Sequence, residues 1–157
     1  MKETSVTHST FVIERSFPFR PERVFAAFSD PAMKRRWMAG DDHRVAEEYA
    51  LDFRVGGSEH TRYRMGENTP FPGTPLSNDT VYQDIVANQR IVIAYAMTIG
   101  AKRMSASLAT FEFVPTDDGT DLVFTDQGAY FEGSDGPQRR EDGWKSILGR
   151  LATVLAS

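Results

Sequence analysis

Apolar and polar residues alternate along most of this chain, and the period changes only near its two ends. Residues 10–16 (Thr-Phe-Val-Ile-Glu-Arg-Ser) are β-branched and aromatic and predict a first strand. Pro18 and Pro21 end it. Pro21 suits the first turn of a helix, where a missing N–H is no loss, and Glu22 complements the positive helix end. Val24, Phe25 and Phe28 then share one helical face. Asp30-Pro31 repeats the signal as N-cap and first-turn proline, so a second short helix running to about Trp37 is expected, bent against the first. Alternation returns weakly over residues 43–55 and more regularly over 58–65, 80–86, 90–98, 104–114 and 122–127. Gly56-Gly57 reads as a two-residue hairpin turn with both glycines at positive φ, and Asp118-Gly119 as a second hairpin. Residues 66–79, with Pro70, Pro72 and Pro75, read as a long loop of the lid or binding-loop kind, tucking in Phe71 and Leu76. From Gly136-Pro137 the period becomes helical, and Trp144, Ile147, Leu148, Leu151, Val154 and Leu155 form one stripe. Gly143 inside that helix costs about 1 kcal/mol against alanine. It marks either a close approach or opening to the sheet, or a fraying first turn.

A sheet with one apolar face needs a cover, and the last helix is the long element available. Curling the sheet around it leaves a space, so an internal pocket is expected. At 157 residues one domain spanning 1–157 is expected, with residues 1–9 frayed. A chain of this size buries roughly 68–70% of its unfolded surface without staples. The absence of cysteine excludes disulfides, thiolate metal sites and Cys nucleophiles. The N-terminus has no apolar core of a secretory signal, and no apolar run approaches the ~20 residues of a membrane span. A cytoplasmic protein is the expectation. A net charge of -4 gives no footprint for nucleic acid. The short basic runs Lys34-Arg35-Arg36 and Arg139-Arg140 read as solvated helix faces.

Several phrases, in order, carry a family resemblance. They are Phe17-Pro-Phe-Arg-Pro-Glu-Arg-Val-Phe-Ala-Ala-Phe-Ser-Asp-Pro31 followed by Trp37, Asp52-Phe-Arg-Val-Gly-Gly57, Asp84-Ile-Val with Arg90-Ile-Val, Thr120-Asp-Leu-Val-Phe-Thr125, and Gly143-Trp144. The chain resembles the single-domain bacterial relatives of the heat-shock-protein-90 ATPase activator, within the SRPBCC or START (Bet v 1-like) superfamily. The resemblance implies an α+β helix-grip fold. Seven antiparallel strands grip a long C-terminal helix, two short helices follow strand one, and a cavity lies between sheet and helix. It implies no universal catalytic residue and no cofactor. Co-chaperone activity does not carry across, because the eukaryotic activator uses a separate N-terminal domain to engage the chaperone.

Strand parity then names the inner face. Glu59, Thr61, Tyr63 and Met65 share one register, as do Val81, Gln83 and Ile85. Ile91, Ile93, Tyr95 and Met97 form the next, then Ser105, Ser107, Ala109, Phe111 and Phe113, then Leu122, Phe124 and Asp126. Trp37, Phe71, Tyr130, Phe131 and Trp144 are candidates to rim or line the pocket. An apolar cavity with sparse polar groups is the usual makeup of a small-molecule site. Glu59 and Asp126 are the acid/base candidates, and Glu59 reads alternatively as turned to solvent by a bulge or paired with an arginine. Asp41-Asp42-His43 lacks metal-ligand spacing, so no metal site is expected. The leading expectation is binding of a hydrophobic small molecule, as carrier or sensor. A cyclase, dehydratase or hydrolase acting on an aromatic or polyketide-like substrate is the first alternative. A chaperone-associated interaction protein working through its outer surface is the second. Monomer and homodimer both stay open.

Overall fold

A computed structural model describes residues 5–39 and 44–157. The elements run β1 (Thr7–Phe17), α1 (Pro21–Ser29), α2 (Pro31–Met38), β2 (Arg44–Leu51), β3 (Ser58–Met65) and β4 (Pro75–Val86). They continue with β5 (Arg90–Ile99), β6 (Lys102–Pro115), β7 (Thr120–Tyr130) and α3 (Pro137–Ala156). The seven strands form one antiparallel sheet in the order β1-β7-β6-β5-β4-β3-β2. Strand β1 therefore returns to pair with the last strand, and the two short helices carry the chain across to the opposite edge. This is the helix-grip architecture expected from the sequence.

Proline sits in the first turn of all three helices. Asp30 caps α2, its carboxylate accepting from the Ala32 amide at 2.9 Å. The Trp37 indole N–H donates to the Ala27 carbonyl at 2.9 Å, which fixes α2 against α1. The stripe Trp144, Ile147, Leu148, Leu151, Val154 and Leu155 is buried on the concave side of the sheet, as its spacing requires.

Three local expectations are corrected. The β2–β3 connection is not a two-residue turn: Gly57 N–H bonds back to Arg54 O at 2.8 Å, and only Gly56 has positive φ. Gly57 is required for space instead, since a Cβ there would lie 2.2 Å from Asp52 O. Strand β4 starts at Pro75, not Thr80, so the loop is shorter than the prolines suggested. Pro75 is tolerated as the first residue of its strand, where a missing N–H breaks little of the ladder. Finally, the register shifts between Tyr82 and Asp84, making Gln83 the extra residue of a β-bulge. Val81 and Gln83 are therefore exposed, and Tyr82 faces inward in their place.

A second bulge, between Met97 and Thr98 on the β5–β6 pair, turns both Met104 and Ser105 inward. The aromatic core concentrates on one side of the sheet–helix space. Phe28 meets Phe111 and Phe113 edge-on, and Phe111 stacks on Phe124 at 4.6 Å. Trp144 closes this cluster, its ring 4.5 Å from that of Phe124.

Candidate functional site

On the other side of Trp144 the phenylalanines stop and a cavity of about 480 Å³ opens between the sheet and the N-terminal half of α3. Its apolar wall is Met38, Met65, Leu76, Met97, Ile99, Met104, Trp144 and Ile147. Four of the chain's six methionines thus line one space. Methionine is unbranched and polarisable, so such a wall adapts to shape and attracts aromatic rings. Arg139, Asp142, Gly143 and Ser146, all exposed on α3, form the mouth. Gly143 lies in the second turn of α3, and a Cβ built there meets nothing within 4 Å. It marks an opening rather than a frayed first turn.

Two buried polar networks flank the cavity. In the first, Tyr95 OH donates to Asp126 Oδ2 at 2.5 Å and accepts from Trp144 Nε1 at 3.1 Å and Arg140 Nη1 at 3.4 Å. One donor and two acceptor sites are all a phenol has, so this hydroxyl is fully used. Arg140 is held by Asp135 through two 2.8 Å bonds and by Ser105 at 2.9 Å, with its guanidinium over the Tyr130 ring. Its partners hold its pKa above the ordinary arginine value even though burial alone would lower it. Burial pushes the Asp126 carboxyl up to about 6, against the pull of the Tyr95 hydrogen bond and Arg140. Burial, reinforced by Asp126, likewise raises Tyr95. Asp126 Oδ1, Ser107 Oγ and Tyr130 OH have no hydrogen-bond partner among the described residues.

In the second network Glu59 accepts from Tyr49 OH at 2.6 Å, Tyr82 OH at 3.1 Å and Lys34 Nζ at 3.1 Å. Burial, then the Glu59 charge, raises both tyrosines, which stay protonated donors. The Lys34 ammonium also sits 5.2 Å from the Trp37 ring centroid and 5.6 Å from that of Phe28. Lys34 and Arg140 are each 5% exposed, which corrects their reading as solvated helix faces. Each enters the interior because a carboxylate distant in the chain or across a turn waits there.

The networks share one cross-strand row. Glu59 pairs with Thr80, Thr80 with Tyr95, Tyr95 with Ser107, and Ser107 with Gly128. A neighbouring row runs Thr61, Asn78, Met97, Ser105, Tyr130.

Of the side chains named from the sequence, Met65, Tyr95, Met97 and Trp144 line the cavity. Trp37, Glu59, Thr61, Tyr63, Ser107, Phe111, Phe113, Phe124 and Asp126 are buried around it without forming its wall. Tyr63 OH, for example, is spent on the Met38 carbonyl at 3.1 Å. Gln83 faces solvent because of the bulge, and Phe71 is 61% exposed at the loop tip rather than tucked inward. Tyr130 is buried under Arg140 and Phe131 is half-buried beyond it. Asp41-Asp42-His43 lies outside the described residues, among which no group of three or more His, Cys, Asp or Glu could hold a metal. Sequence reasoning missed Met38, Asn78, Ile99, Met104 and the mouth residues Arg139, Asp142 and Ser146, whereas Leu76 tucks inward as expected. Parity run back from Val81, Gln83 and Ile85 would have set Asn78 outward, because the bulge at Gln83 inverts the register before it.

A family model described as Activator of Hsp90 ATPase homolog 1-like protein matches residues 18–156. The Mll3558 protein from Rhizobium loti is 47% identical, with a TM-score of 0.86 over 96% of this chain and 99% of that one. An uncharacterised protein from Rhizobium leguminosarum is 38% identical, with a TM-score of 0.89 over 97% of each chain. The AHSA1-like protein from Aeromonas hydrophila, at 18% identity and TM-score 0.69, covers 94% of this chain and 92% of its own, and shares the fold. No protein of curated function matches the chain.

Proposed function

This chain belongs to the Activator of Hsp90 ATPase homolog 1-like family, and from that premise we propose that it binds a hydrophobic small molecule between the sheet and α3, as carrier or sensor. The observation that carries this reading is the methionine-lined cavity of about 480 Å³, left open where the phenylalanine core stops at Trp144. The volume falls within the roughly 300–1,000 Å³ of small-molecule sites, and the mixture of apolar wall and few polar groups is theirs. Catalysis would need Glu59 or Asp126 at the cavity surface. Neither lines it, and the one tyrosine hydroxyl that does is fully used. These observations favour binding over chemistry. Native mass spectrometry of the purified protein should show a co-purifying small molecule, or thermal-shift screening should show stabilisation by one class of apolar compound. Gly143→Phe, which places a ring at the mouth, should weaken that stabilisation, whereas Gly143→Ala should keep it and add about 1 kcal/mol of stability. A ligand-free mass with no stabilisation by any class would remove the reading.

One surface favours a second reading as an interaction protein. On the convex face Val81, Ala94 and Leu108 are register partners across β4, β5 and β6, with Val81 44% and Leu108 41% exposed. Ala96 and Ala106 form the adjoining pair, bordered by Asp79, whose carboxylate is held by Arg62 and His60. Leu108→Glu should abolish capture of a protein partner while leaving the thermal-shift response intact. An unchanged partner signal would exclude this face.

A further inference from the structure

Asn78 is 8% exposed and lines the cavity from the sheet side, between Thr61 on β3 and Met97 on β5. Its one hydrogen bond is a long one: the Thr80 hydroxyl donates to Oδ1 at 3.4 Å. The amide nitrogen, which carries two donors, has no partner among the described residues. This nitrogen is not one of the fully buried atoms left without a partner, so it opens on the cavity, where an acceptor can reach it. Here the group is turned into a space large enough for a ligand. The charges around that space are already matched or solvated. Arg140 is bound by Asp135, Arg44 stacks over the Tyr63 ring at 4.8 Å, and Arg139 and Asp142 stand exposed at the mouth. A charged ligand group set beside Asn78 would meet a neutral amide there, and burying a charge without a paired counter-charge is expensive.

We propose that the Asn78 amide is the polar anchor of the cavity and that it selects neutral apolar molecules bearing a carbonyl oxygen, such as aryl ketones, esters or amides. The carbonyl accepts from Asn78 Nδ2 while the apolar body lies against Met65, Met97 and Met104. The aromatic preference follows from sulfur–ring attraction on that wall. This inference rests on the binding reading above and adds the ligand class and the residue that reads it.

Isothermal titration calorimetry with three probes of one shape tests it: 2-acetylnaphthalene, 2-ethylnaphthalene and 2-naphthoate. The wild-type protein should bind the acetyl compound about tenfold more tightly than the ethyl compound, the worth of one ordinary hydrogen bond. It should bind the carboxylate more weakly than the ketone. In Asn78→Leu, which keeps the branched shape without the amide, the acetyl preference should disappear while affinity for 2-ethylnaphthalene stays within about threefold. Asn78→Ala provides the same comparison if the leucine variant fails to fold. Equal affinity for the acetyl and ethyl probes in the wild type, or a preference that survives in Asn78→Leu, overturns the role of Asn78 while leaving the cavity a binding site. Tightest binding of 2-naphthoate overturns the neutral class. If no probe binds, the binding reading fails and this inference falls with it.

Discussion

Replacing Lys34 with methionine should destabilise the protein by about 3–5 kcal/mol, a large fraction of the whole stability of a domain this size. The ammonium pairs with a carboxylate that is 4% exposed, and its loss leaves Glu59, among the described residues, with the two phenols of Tyr49 and Tyr82. Removing one member of a buried pair strands the other charge, which is why the penalty exceeds anything the pair itself contributes. The double variant Lys34→Met/Glu59→Gln should regain most of the loss, since a neutral carboxamide oxygen still accepts from Tyr49 and Tyr82. Urea unfolding with an unchanged m-value is the measurement. A single-variant loss below about 1 kcal/mol would mean that water reaches Glu59 and the pair is no better than a surface one.

Asp126 gives the second large effect, with a pH signature. Its carboxyl is pushed up from 3.8 to about 6, mainly by burial. Between these values the folded state holds a proton that the unfolded chain releases, so stability falls as pH rises through this window. The full shift corresponds to about 2–3 kcal/mol lost between pH 4 and 6. Asp126→Asn should remove that slope and leave the protein more stable than wild type at pH 7. The carboxamide still accepts from Tyr95, and it offers a donor where Oδ1 now has no partner. Chemical denaturation at a series of pH values would show a flat profile in the variant over this window. A slope that persists would place the titrating group elsewhere. Asp79 does not confuse the test. Burial alone would raise it, but hydrogen bonds from His60 and Arg62 hold it below its ordinary value, so its contribution is lost only on further acidification.

The strands and the last helix were legible because their periods are long and uninterrupted. Parity placed Tyr63, Tyr95, Phe111, Phe124 and Asp126 inward, and the sheet turns each of them inward. Parity fails where a residue is inserted. Nothing in Tyr82-Gln83-Asp84 announces a bulge, and a bulge moves Gln83 to solvent. The prolines of the loop hid the start of β4, and with it Asn78. The buried charges were hidden for another reason. Lys34 reads as surface until Glu59, far along the chain, is known to lie under it, and Arg140 until Asp135 and Tyr95 are placed. Charge burial is decided by partners, and partners across a sheet are not written in local spacing.

The polar row from Glu59 through Thr80 and Tyr95 to Ser107 has a consequence for how the sheet finds its alignment. Sliding one strand past its neighbour by two residues keeps every apolar side chain on the concave face, so the hydrophobic pattern alone tolerates that error. The slide that sets Glu59 opposite Asn78 moves it about 7 Å along β4, out of reach of Tyr82, and leaves two desolvated groups unmatched. The row acts as a key in a lock of otherwise interchangeable teeth, telling the native alignment of β3 on β4 from that look-alike.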